Sequence, residues 1–347
     1  MNINQWARPN ILQLKPYSSA RDEYSGEAMV FLDANENPWN QPWNRYPDPQ
    51  QRALKKRVGE IKGCDPAMIF LGNGSDEPID LLIRVFCEPG KHHIIQIEPT
   101  YGMYAVAAGV NQVGVTGVPL TDDFQLDAGS VLKAVNAHTR MIFLCSPNNP
   151  TGNALDSGEM EKIIKGFPGP VVVDEAYVDF SLKGSFLSRI EEFPNLILLQ
   201  TFSKAWGMAG LRLGMAFAHP EVIALMTRIK YPYNLSSLTQ QTALQLLEKR
   251  SEKEEWVRIL LEEREKLTKA LQKISCVNKV WTSDANFLLV RVTQARDIYD
   301  YLTRKGIIVR DRSRVLLCGE SLRITVGTPE ENHMLVEALS QAHLIPE

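Results

Sequence analysis

The chain of 347 residues contains no run of roughly 18 consecutive apolar residues, so no segment reads as a membrane-spanning helix. Its opening stretch, MNINQWARPN, lacks the apolar core of a secretory leader. Cysteine is sparse and unpatterned. Cys64, Cys87, Cys145, Cys276 and Cys318 form no CxxC pair and no zinc-ligand spacing, which excludes the common zinc modules and fits a reduced, cytoplasmic setting. An excess of one charge is also missing. The 38 Lys and Arg against 41 Asp and Glu leave a net charge of -3 without a long like-charged run, which argues against a nucleic-acid partner. The glycine turn GNGSDE (72 to 77) has neither the GxGxxG of a dinucleotide fold nor the GK[ST] of a P-loop.

What is present is an alternation. After a proline-interrupted first forty residues, helix-like stretches QQRALKKRVGEIKG and EPIDLLIRVFCEPG flank the short apolar run AMIFLGNG. KHHIIQIEP, QVGVTGVPL, MIFLCSP, PVVVDEAY, LILLQTF and GMAFAHP follow as strand-like runs, with helical segments such as SGEMEKIIKGF between several of them. Nearly continuous apolar strands alternating with helices predict an α/β fold, a mostly parallel sheet covered on both faces. After Pro232 the texture changes to a long charged helical stretch over 237 to 274, then strands ANFLLVRV, GIIVRD and SLRITVG and a final helix. The length suits about two domains. We read 1–40 as an N-terminal arm packing with the smaller domain, 41–236 as a large three-layer α/β/α domain, and 237–347 as a bridging helix and a small α+β domain.

In open α/β sheets ligands collect beyond the carboxyl ends of the strands. Asp174 follows PVVV there, with Tyr177 three residues on; Asn148 and Asn149 sit in the rigid turn SPNNPTG; Ser75 and two glycines open a helix as an anion seat; Lys204 and Arg212 follow LILLQTF. Each has a plain structural reading alone: a turn cap, a turn former, a half-buried aromatic, a surface charge. Together they suit a phosphorylated, ring-bearing aldehyde cofactor, with a lysine to bond it and an acid facing its ring nitrogen. Lys204 is then also the base that moves a proton, its pKa lowered by cationic neighbours.

GNGSDE, EPTYGMY, SPNNPTG, DEAYVDF, SKAWGMAGLRLG and SLRITVG stand in the order and spacing of the fold-type I, class I/II aminotransferases, which the chain resembles. Within that superfamily LKPYSSAR, LDANENPW, NRYPDPQ and the pairing of GIIVRD with SLRITVG resemble the histidinol-phosphate aminotransferase family. The resemblance implies pyridoxal 5'-phosphate bonded to Lys204, with Asp174 at the pyridine nitrogen, Tyr177 and Asn149 at the ring oxygen, and Tyr101 on the ring face. Ser75, Asp76, Ser203 and Arg212 would hold the phosphate. Tyr46 would reach the cofactor phosphate of a partner subunit in a homodimer. Arg323 would clamp the α-carboxylate of glutamate or 2-oxoglutarate and, with Arg310, receive the phosphate of histidinol phosphate, with Tyr17 closing over the substrate and Asn234 nearby. Trp206 and Met208 replace residues common in the family and keep the lining apolar. The nearest alternative is the same fold on another substrate, an aromatic or aspartate-type aminotransferase or a threonine-phosphate decarboxylase.

Overall fold

The short apolar runs become the strands of a seven-stranded sheet: β1 (Ile69–Asn73), β2 (His93–Glu98), β3 (Gly114–Pro119), β4 (Thr139–Cys145), β5 (Val171–Asp174), β6 (Leu196–Thr201) and β7 (Leu213–Ala218). They are seen in a computed structural model that describes residues 3–18, 20–24 and 29–342. Ser19 of LKPYSSAR, residues 1–2 and 25–28 of the expected arm, and residues 343–347 of the expected small domain lie outside the described residues. The spatial order is β1-β7-β6-β5-β4-β2-β3. Only β7 runs against its neighbours, and it does so on both sides. β1, β2, β4, β5 and β6 therefore all end at one edge of the sheet, and β7 begins there.

Strands β4 to β7 are buried on both faces except at Arg140, which explains their unbroken apolar sequence. Alternate residues feed two cores. Val171, Val173, Ile142 and Leu144 meet Met160, Ile163 and Ile164 of the helix Ser157–Gly166, whose start is capped by Asp156. Val172, Phe143 and Ile197 face the helices Asp76–Phe86, Met103–Val110 and Pro220–Ile229.

A second sheet, β8 (Val277–Val280), β9 (Phe287–Val292), β10 (Arg310–Asp311) and β11 (Ser321–Thr325), is antiparallel in the order β10-β11-β9-β8. The helices Arg250–Leu271, Ala295–Arg304 and Pro329–Ser340 share its core through Leu271, Leu302 and Leu339. The last of these starts at a capping box of Thr328 and Glu331 with Pro329 at its first position.

Three expectations need correction. The helical stretch over 237 to 274 is two helices, Ser237–Leu247 and Arg250–Leu271, and the break falls among charged residues that carry no glycine or proline signal. GIIVRD pairs through only two residues. The first segment of the arm does not pack with the smaller sheet. Ile3, Ala7 and Ile11, spaced four apart, are buried in the large domain's core beside Val222 and Met226. Arg8 N–H donates to Val85 O, and Arg228 donates to Ile11 O and Leu12 O. A periodic apolar stripe outweighs the prolines around it, and Pro9 opens a helical turn instead of preventing one.

Candidate active site

Six strand termini converge on one small cavity of about 140 Å³, lined by Gly74, Ser75, Asp76, Tyr101, Cys145, Asn149, Asp174, Ala176, Tyr177, Thr201, Ser203, Lys204, Ala209 and Arg212. Its floor is Asp174, the last residue of β5, with only 2% of its surface exposed. Ala176 N–H donates to its Oδ1 at 3.0 Å, and the hydroxyl of Tyr104 donates to its Oδ2 at 2.6 Å. Burial raises the pKa of Asp174 despite these two bonds. A buried carboxylate so placed favours any cation brought to its free face.

The wall nearest Arg212 is built by close backbone approach. Gly74 N–H donates to Arg212 O at 2.6 Å. A Cβ on Gly214 would lie 2.3 Å from Gly74 C and Ser75 N, and a Cβ on Gly74 would lie 2.6 Å from Arg212 Nη2. The glycines of GNGS and LRLG are there so that the two loops interlock. Arg212 itself adopts φ +51°, and its guanidinium reaches Asp76 at 3.5 Å. Tyr101 hydroxyl donates to the same carboxylate at 3.1 Å, which fixes the ring at the cavity side. Ser75 stands at the N-cap position of the eleven-residue helix Asp76–Phe86 without a side-chain capping bond, so that helix start, Arg212 and the Ser203 hydroxyl converge as an anion seat.

Lys204 enters from the loop after β6. Its amine sits 5.6 Å from the centroid of the Tyr177 ring. The side chain is accessible from the cavity, yet surrounding protein desolvates the ammonium and lowers its pKa, Arg323 and Arg212 adding to the effect and Asp174 and Asp76 opposing it. Asn149 links inner and outer chambers. Its Nδ2 approaches Tyr177 hydroxyl at 3.5 Å, while its Oδ1 accepts from Arg323 Nη1 at 2.6 Å. The neighbouring Asn148 is fully buried and bonds Pro99 O and Thr151 Oγ1, so it shapes the turn. Beyond Asn149 opens a second chamber of about 830 Å³, in which Tyr101, Tyr177 and Lys204 face Arg310, Arg312 and Arg323.

Ser75, Asp76, Tyr101, Asn149, Asp174, Tyr177, Ser203, Lys204 and Arg212 are thus brought together, with Arg310 and Arg323 adjoining. Three further residues lie outside these chambers, Tyr46 among them as a residue expected at a partner subunit's site. Tyr46 stacks on Tyr233 at 4.5 Å and lines a different cavity. Asn234 lines that same cavity and is tied to Leu71 O, Glu77 and Gln51, a role that fastens the chain to β1. Tyr17 is 71% exposed and lines neither chamber. Sequence reasoning missed Tyr104 and Arg312. The signal for Tyr104 was its place three residues after Tyr101, which puts both rings on one side of the turn, 5.6 Å apart.

The donor set fits pyridoxal phosphate: an anion seat at one end, a buried acid at the other, an amine between them and two ring-oxygen donors beside it. Residues 28–339 match the family "Aminotransferase class I and II". The chain is 55% identical to a histidinol-phosphate aminotransferase of Parabacteroides distasonis over 99% of both chains. It is 56% identical to that of Bacteroides fragilis over 98% of this chain and 99% of the other. Among solved structures it resembles the histidinol-phosphate aminotransferase of Clostridium acetobutylicum, with TM-score 0.80, 23% identity and coverage of 87% and 92%. It also resembles that of Sinorhizobium meliloti in complex with pyridoxal-5'-phosphate, with TM-score 0.79, 23% identity and coverage of 86% and 83%. The chain belongs to the class I and II aminotransferases and, within them, to the histidinol-phosphate aminotransferase family.

Proposed function

We propose that the protein exchanges an amino group between L-histidinol phosphate and 2-oxoglutarate, giving imidazole acetol phosphate and L-glutamate, as a step of histidine biosynthesis. The observation that carries this reading is the placing of Lys204 and Asp174 in one cavity beside arginines of the next that, among the described residues, have no carboxylate partner.

Pyridoxal phosphate, when bound, supplies an aldehyde carbon that holds the amino group and a ring that takes up electrons as the α C–H bond breaks. The anion seat of Ser75, Asp76 N–H, Ser203 and Arg212 holds its phosphate in this reading. Asp174 keeps a proton at the pyridine nitrogen, and Tyr104 and Ala176 keep Asp174 aimed there. Tyr177 hydroxyl and Asn149 Nδ2 donate to the ring oxygen, and the Tyr101 ring covers one face. Lys204, its pKa lowered, takes the α proton as a neutral amine and returns it one carbon away. Arg323 and Arg310 hold the carboxylate of one substrate and the phosphate of the other, since a guanidinium fork pairs with either oxyanion.

The same reading gives 41–236 the cofactor and 237–347 the substrate arginines, with the Asn149–Arg323 bond crossing between them. It also places Tyr46 in a homodimer, reaching the partner subunit's cofactor. Met29, Leu32, Trp39, Trp43 and Tyr231 are exposed at 96%, 91%, 77%, 57% and 86%, apolar surface that a second copy would cover. Tyr17 is the arm residue we assign to closure over the substrate, and Asn234 supports the shared rim. Five free cysteines are consistent with a reaction in the reducing cytoplasm.

Lys204→Ala tests the reading. Turnover of histidinol phosphate should fall by more than about 10⁴-fold, together with the visible absorbance of lysine-bound cofactor. Retained turnover and an unchanged spectrum in the variant would remove Lys204 from its role. A wild-type protein that releases carbon dioxide from threonine phosphate, and ignores histidinol phosphate, would replace the proposed substrate.

A further inference from the structure

Three guanidinium groups meet at the outer chamber, and only two of them have a role so far. In the antiparallel ribbon of β10 and β11, Arg310 stands directly opposite Arg323. Arg312 follows β10, and its backbone N–H donates to Ser321 O at 2.8 Å, so the ribbon geometry continues through it. The two-residue period puts Arg310 and Arg312 on one face and sends Asp311 to the other. There Asp311 bonds Ser313 and lies 3.8 Å from Arg296.

Like charges directly across a ladder destabilise it. Among the described residues, none of the three arginines has a carboxylate partner within ion-pair distance. Arg323 bonds Asn149. Arg312 has a buried Nε without any hydrogen-bond partner. The groups around Arg312 are Arg323, Arg310, Cys318, Asp311 and, across the chamber, Tyr177. Burial and the two arginines push its pKa down, so an anion entering the chamber relieves both costs.

We propose that Arg312 is a specificity-determining residue, the third guanidinium of the substrate seat, and that it favours a dianionic phosphate monoester over a carboxylate. This rests on the reading that the chain accepts a phosphate-ester amino donor. A carboxylate carries one charge and two acceptor oxygens, which one fork satisfies. A phosphate ester dianion carries two charges and three free oxygens, and uses the additional cation. The backbone bonds of Arg312, from its N–H to Ser321 O and from Val315 N–H to its carbonyl, persist whatever side chain it carries.

The test uses holoenzyme of the wild type, Arg312→Gln and Arg312→Lys. Two half-reactions, with histidinol phosphate and with glutamate, are followed alongside competitive inhibition and calorimetric binding by inorganic phosphate. Arg312→Gln should raise KM for histidinol phosphate and Ki for phosphate by roughly 10- to 100-fold, the glutamate half-reaction losing far less. Arg312→Lys should recover part of the loss, keeping charge without the fork. The wild-type advantage should shrink as pH falls below about 6, where the ester becomes a monoanion, and the Gln variant should lose this dependence. Equal losses in both half-reactions, or an unmoved phosphate Ki, would overturn the proposal. If wild type ignores histidinol phosphate but reacts with glutamate, the proposed substrate fails. The phosphate Ki of the variants then still decides the role of Arg312.

Discussion

The inner cavity and the outer chamber are built on opposite principles. Around Lys204 the carboxylates and the amide are tied: Asp174 to Tyr104 and Ala176, Asp76 to Tyr101 and Arg212, Asn149 to Arg323. Its backbone loops approach so closely that a Cβ on Gly214 would overlap the Gly74–Ser75 backbone, and Gly74 holds a left-handed conformation. Beyond Asn149 the chamber is larger, and among the described residues its arginines have no acidic partner within ion-pair distance. The difference separates two tasks. Bond making needs groups fixed before the substrate arrives, so the protein spends its hydrogen bonds on orientation. Substrate choice between two anions needs charge held in reserve, so the protein leaves arginines unpaired.

If that division holds, damage to the inner cavity should appear in kcat and damage outside it in KM. The largest effect after Lys204 is expected from Asp174→Asn, which should lower kcat by roughly 10³-fold with KM little altered. A change confined to KM would break the comparison. The same variant carries a pH signature in cofactor-free protein. Burial raises the folded pKa of Asp174, so the folded state binds its proton more tightly than the unfolded state does. The associated stability is fully present below the unfolded value near ~4 and is lost as pH rises through the raised folded value. Chemical unfolding across this window should therefore give a flatter profile for Asp174→Asn than for wild type. An equally steep decline in both would assign the dependence to another group.

A smaller effect is expected from Gly214→Ala. The added carbon pushes the Gly74–Ser75 backbone away from β7, which should cost about 1–3 kcal/mol of stability and weaken cofactor retention. Thermal unfolding with and without added pyridoxal phosphate measures both. A variant with native stability and retention would show that the interlock is not needed. Tyr104→Phe should act least. It removes one hydrogen bond to Asp174 and leaves the ring stacked on Phe143 at 4.8 Å, so kcat should fall about tenfold, with the fold unaffected. A shift in the pH dependence of the bound cofactor's spectrum would separate positioning of Asp174 from simple packing.

The two regions were not equally legible in the sequence. Strand ends announce themselves because buried parallel strands are continuous apolar runs, so Asp174, Asn149 and Lys204 could be placed on one edge before any coordinates. Tyr104 was only half marked: its spacing from Tyr101 puts it on the side of the site, but its partner lies 70 positions away and nothing local identifies it as a donor to a buried acid. Arg312 was hidden for another reason. Its meaning depends on the absence of a counter-charge, and absence of a tertiary partner has no local sequence signal. The break at Glu248 and the docking of Ile3, Ala7 and Ile11 likewise come from tertiary packing, which overrides local propensity.

Arg212 shows what the interlocked wall implies for descent with change. Its backbone occupies a left-handed conformation that suits glycine, while its side chain must supply a cation to the seat. Replacement by glycine relaxes the backbone and forfeits the charge; replacement by lysine retains the charge, keeps the strain and loses the fork. Two independent filters therefore act on one codon.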